Sequence, residues 1–129
     1  MAVSTKRDWP IVTGLIVLSL IPVAAGMVRL GLLAGHPVVT PENARFVTMP
    51  LPVILHIIGA TLYCMLGAFQ FAPRLRARYP RWHRMAGRVL VIAGLIAALS
   101  GMWMAQLYAI VPADNWLLHI FRLAAGSGM

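Results

Sequence analysis

The stretch LPVILHIIGATLYCMLGAFQFA, Leu51 to Ala72, contains no Lys, Arg, Asp or Glu. As a helix rising ~1.5 Å per residue, such a run covers the ~30 Å hydrocarbon core of a bilayer. The composition of the whole chain agrees. Of 129 residues, 60% are hydrophobic and 11% charged, whereas soluble domains are roughly a quarter charged. A net charge of +8 on a polar surface would point to nucleic acid. Here few polar residues exist to frame such a site, so lipid headgroups and not nucleic acid are the expected anionic partner. Cys64 is the single cysteine, which excludes a disulfide framework and a cysteine-based metal site. The expected fold class is all-α, a polytopic transmembrane helix bundle.

Outward from Leu51–Ala72, two further long apolar runs appear. Ile11 to Leu33 carries Arg29 as its only charge, and Val89 to Tyr108 carries none. A fourth run begins at Trp116, and by Met129 a helix would extend only about 20 Å, too short to span. The expectation is a single membrane domain with helices at about 11–33, 51–72, 86–108 and 116–129. That is three full spans plus the start of a fourth, in a chain that reads as a fragment. Lys6, Arg7 and the PVAAG segment also resemble a signal peptide. The apolar run continues past Gly26 to Leu33, beyond a typical signal core, so the expected form is an uncleaved first helix.

Between the second and third runs lies RLRARYPRWHRMAGR, Arg74 to Arg88. Lys and Arg near helix ends set orientation. Residues 73–88 hold Arg74, Arg76, Arg78, Arg81, Arg84 and Arg88, the N-terminus holds Lys6 and Arg7, and residues 34–50 and 109–115 contribute only Arg45. This distribution predicts a cytoplasmic N-terminus and a cytoplasmic 74–88 loop facing anionic headgroups. The 34–50 connection and the PADN turn then face outward. Trp9, Trp82, Trp103, Tyr108 and Trp116 fit interfacial positions.

Within the second run, His56, Gly59, Tyr63, Gly67 and Gln70 share one helical face, as their spacing requires. A polar face within a span is expected to meet protein or a cofactor and not lipid. In the third run, Gly87, Gly94 and Gly101 recur at intervals of seven, with Ala98 and Ala105 beside them. Such small residues admit close approach of another helix or of a flat ligand. His56 lies about 8 Å inside its helix, at ~1.5 Å per residue from Leu51. His119 lies at a similar depth in the fourth run, entering from the same side, and His83 lies at the opposite end of the third. Histidines at matched depth on separate helices suit the two axial positions of a haem iron, so His56 and His119 are the candidate metal ligands. Arg29 and Arg122 near the outer helix ends suit an anionic propionate or a lipid, or else they snorkel to the surface. Helix packing alone accounts for the same residues without a cofactor.

Four motifs occur in order: H-x-x-G-A from His56, G-A-F-Q-F from Gly67 to Phe71, H-R-x-x-G-R from His83 to Arg88, and F-R-L-x-x-G-S-G-M from Phe121 to Met129. Together they resemble the bacterial multi-pass membrane proteins grouped as domain of unknown function 2306. The resemblance covers about Leu51 to Met129 and implies a bacterial inner-membrane location. It also implies further helices after the fourth, with another His-Arg motif. A looser similarity, in arrangement only, is to the transmembrane b-type cytochromes of the ascorbate-dependent kind. It implies haem b, with His56 and His119 as the outer ligand pair and His83 as half of an inner pair.

Three functional readings result. One is a haem-binding membrane electron carrier, an oxidoreductase component if it is an enzyme at all, with His56, His119, His83, Arg29, Arg122 and Tyr63 at cofactor sites. Its redox partner is not identified by the sequence. A second is a small-molecule transporter or binding protein with His56, Tyr63 and Gln70 lining a polar path. A third is a structural membrane subunit without cofactor. No nucleophile motif, paired carboxylates or phosphate loop is present. Only Asp8, Glu42 and Asp114 are acidic, and none falls within an apolar run. A carboxylate proton relay is therefore not expected.

Overall fold

A computed structural model describes residues 8–108 and 116–128. Among them every regular element is helical: α1 Asp8–Ala34, α2 Ala44–Thr48, α3 Pro50–Gln70, α4 Pro73–Arg78, α5 Pro80–Leu107 and α6 Trp116–Ser127. Helices α1, α3 and α5 are long and apolar enough to cross a membrane. Proline stands in the first turn of α3, α4 and α5, where its missing N–H has no intrahelical partner to lose and its fixed φ suits the helix. Pro22 lies inside α1, where it removes one backbone bond. Spanning helices accommodate such a loss when neighbouring groups satisfy the freed carbonyl.

The short α4 and the extended start of α5 make the basic stretch helical on both sides of Tyr79. Arg74, Arg76, Arg78, Arg81, Arg84 and Arg88 are all exposed. At the other end, α1 closes with Gly35 donating to the Gly31 carbonyl at 3.1 Å. The chain then turns through His36 at φ 50°, a left-handed conformation that glycine adopts more readily.

Helix α3 is the centre of the bundle, packed most extensively on α5 and next on α1, while α6 packs on α5. The register of the α3–α5 pair follows from its contacts. His56 meets Gly101, Gly59 meets Ala93 and Ala97, Tyr63 meets Gly94, and Gly67 meets Leu90. Numbers rise along one helix as they fall along the other, so the two run antiparallel. The buried residues of α5 include Ala86, Leu90, Ala93, Ala97 and Ser100, spaced alternately by four and three as a continuous helical seam requires. Large apolar side chains such as Leu18, Ile21, Val28, Ile92 and Leu99 are exposed. An outside this apolar would be unfavourable in water and is suited to hydrocarbon. The protein is an all-α bundle built for a membrane.

Candidate functional site

The α3–α5 seam is where the polar face of α3 goes. Gly59 is its closest approach: a Cβ there would stand 2.8 Å from the Ala93 carbonyl oxygen and 3.0 Å from the Ala97 nitrogen. Only a hydrogen side chain fits against that backbone. One turn earlier, His56 is half-buried and its Nδ1 lies 2.8 Å from the Ala97 carbonyl oxygen. A carbonyl only accepts, so Nδ1 carries the proton, and in the neutral imidazole Nε2 keeps the lone pair. The ring rests on Gly101, whose absent Cβ would lie 3.3 Å from Cε1. Ser100 closes the local network by donating its hydroxyl to the Ile96 carbonyl at 2.5 Å.

Tyr63 lays its ring on Gly94, where a Cβ would stand 3.0 Å from the ring edge. Of the three spaced glycines, Gly94 and Gly101 are thus notches filled by aromatic rings of α3, while nothing lies within 4 Å of a Cβ at Gly87. The seam turns away from Gly87 because Ala86 and Leu90 occupy it. Nearer the basic end, Gln70 Nε2 and His83 Nδ1 are buried and have no hydrogen-bond partner among the described residues. Cys64 is a half-buried free thiol.

The opposite end holds a cluster assembled from three elements. The Arg29 guanidinium carbon of α1 sits 4.4 Å from the centre of the Phe46 ring, and that of Arg45 sits 4.8 Å from it. Tyr108 meets the same ring edge-on at 5.6 Å and donates its hydroxyl to the Met49 carbonyl at 2.6 Å. Burial pushes the Tyr108 phenol above its usual range, against the opposing pull of a backbone hydrogen bond and the Arg45 charge. From the sequence, Arg29 is the cluster's one candidate site residue, Arg45 counts only as a loop charge and Tyr108 as an interfacial aromatic. Arg45, Phe46 and Met49 lie in or beside a helix of five residues, too short to show periodicity.

Of the residues singled out from sequence, His56 and Tyr63 each pack against α5, at Gly101 and Gly94, Arg29 sits with Phe46, and His83 lies at the far end. Arg122 is exposed on α6. His119 belongs to α6, but its side chain, like the PADN turn and the N-terminal Lys6 and Arg7, lies outside the described residues. Among the described residues no group of three or more His, Cys, Asp or Glu side chains is placed to hold a metal ion.

No curated protein and no solved structure matches the chain significantly. The sequence profile of a family described as predicted membrane protein, DUF2306, matches residues 53–127. That match takes in more than half of the chain, including almost all of α3 and the whole of α4, α5 and α6. It contains the His56–Ala97 contact, the Gly59 notch and His83, while Arg29 and Arg45 lie ahead of it. The protein is a member of the DUF2306 family of predicted membrane proteins.

Proposed function

We propose that this membrane protein binds haem and carries electrons, with His56 as an axial ligand. The observation behind this reading is the bond from His56 Nδ1 to the Ala97 carbonyl. Ligating histidines commonly donate their second ring nitrogen to a carbonyl or carboxylate, which fixes the tautomer and raises the basicity of the ligating nitrogen. His56 has that tautomer, inside a span. His83, with a buried and unpartnered Nδ1, supplies a second position near the basic end. A bound haem would contribute a one-electron couple whose potential is tuned by its ligands and surroundings. The residues of α3 and α5 would orient the imidazole and exclude water from it.

A second reading has its own support: His56, Gly59 and Tyr63 all meet α5 directly, so the polar face serves helix packing. The two readings separate on one experiment. The purified protein is examined by reduced-minus-oxidised absorption, alongside His56→Gln and His56→Leu. Haem bands in wild type that both variants lose support the ligand role. Absence of bands in wild type, with His56→Gln restoring the stability that His56→Leu loses, would leave only the packing role. Glutamine can still donate to the Ala97 carbonyl but cannot replace an imidazole ligand.

A further inference from the structure

We infer that Arg29 and Arg45 form a binding site for a phosphate-class anion at the Phe46 end of the bundle. The two guanidinium groups come from different helices, stand 4.4 Å and 4.8 Å from one ring centre, and are both half-buried. Like charges so placed repel one another. Attraction to the ring face offsets part of that repulsion, but it satisfies none of the donors in the guanidinium planes. Among the described residues neither arginine has a carboxylate partner. Arg45 Nε is moreover buried without a hydrogen-bond acceptor. Snorkelling would carry these side chains apart into solvent, whereas here both are drawn onto Phe46.

The surroundings hold that arrangement in place. Tyr108 fixes the edge of Phe46 and is itself tied to the Met49 carbonyl. The backbone ahead of α2 is tied as well, Thr40 N donating to Asn43 Oδ1 at 2.7 Å and Asn43 Nδ2 to the Val38 carbonyl at 2.9 Å. Arg29 is only a turn or two from the end of α1, about 8 Å at ~1.5 Å per residue. A helix of 27 residues outruns a ~30 Å hydrocarbon core, so its last turns reach the headgroup layer, where lipid phosphate and soluble phosphate both have access. The planar arginine fork matches phosphate oxygens better than an ammonium group does. The site chemistry is therefore a phosphate held by two arginines beside an aromatic wall, from lipid or from solution.

The experiment uses the full chain in neutral detergent, with Arg29→Gln, Arg45→Gln and Arg45→Lys, and with the exposed Arg76→Gln on α4 as the measure of what losing one surface charge does by itself. Phosphatidylglycerol retention is read by native mass spectrometry, and the thermal midpoint is read with inorganic phosphate against chloride at equal ionic strength. A charge-assisted hydrogen bond is worth about 1.5–3 kcal/mol, so losing one weakens binding by about tenfold or more. Loss of lipid retention in the three site variants well beyond that in Arg76→Gln establishes a lipid phosphate. A phosphate-specific rise in midpoint that only those variants lose, without lipid retention, establishes a soluble one. Should Arg29→Gln fail to fold, Arg45→Lys keeps the charge and still removes the fork. Arg45→Lys and Arg45→Gln both binding like Arg76→Gln overturns the site.

Discussion

Replacing Gly59 with alanine tests the seam at its tightest point. The new methyl would stand 2.8 Å from the Ala93 oxygen, 3.0 Å from the Ala97 nitrogen and 3.2 Å from Ile96 Cγ2. Two of those atoms are helix backbone and cannot rotate aside, so α3 and α5 must separate by a few tenths of an ångström. Overpacking of this kind costs about 1–3 kcal/mol. The same separation lengthens the 2.8 Å contact from His56 to the Ala97 carbonyl, and interhelical hydrogen bonds in membranes are worth about 0.6 kcal/mol. Against this, alanine is the better helix former by up to ~1 kcal/mol. Gly87→Ala isolates that gain, because nothing lies within 4 Å of its added methyl. The propensity term then cancels between the two variants, and Gly59→Ala should be the less stable by about 1–3 kcal/mol. Reversible unfolding in mixed micelles, followed by far-UV circular dichroism, gives both values. Equal stability of the two variants would refute the packing of α3 on α5 at Gly59.

Three further outcomes are expected. Gly94→Leu and Gly101→Leu should each lower the unfolding midpoint, since the rings of Tyr63 and His56 fill those notches, while Val91→Leu, at an exposed position, should not; equal tolerance would place the notches on the lipid side. His36→Gly should raise stability by up to ~1 kcal/mol, because a left-handed residue at φ 50° is relieved of its Cβ strain; a loss in the same micelle assay counts against that turn. Tyr108 should ionise above the ordinary tyrosine range of about 10, since burial favours its neutral form. Its contribution to stability is then complete below the unfolded value and lost as pH rises through the higher folded one. The difference in 295 nm absorbance titration between wild type and Tyr108→Phe measures this, and ionisation at or below the ordinary value contradicts it.

The three spans were legible because the signal is bulk hydropathy over about 20 residues, which needs no knowledge of partners. The polar face of α3 was legible too, from spacing alone, and His56, Gly59, Tyr63 and Gly67 on it meet α5, although Gly59 alone is fully buried. Which glycine would be tightest was not. Gly59 was one of five residues on that face, and only the crossing point with Ala93 and Ala97 distinguishes it. Gly87 kept the period of the third-helix glycines, yet it lies off the seam, because equal spacing of seven does not specify which residues flank the contact. The Phe46 cluster draws on α1, α2 and the residue after α5, so no local pattern could announce it. A five-residue helix holds little more than one turn of periodicity.

The two ends of the bundle differ in how their polar groups are satisfied. At the Phe46 end, His56 and Tyr108 reach backbone carbonyls from across the fold, at 2.8 Å and 2.6 Å, and two arginines crowd one ring. At the basic end, Gln70 Nε2 and His83 Nδ1 are buried and have no partner among the described residues. Leaving a buried polar atom unsatisfied costs about 1–3 kcal/mol. Apolar residues at both positions would pack between helices without that penalty. Packing of α3 against α5 therefore explains His56 and Tyr63 but not Gln70 and His83.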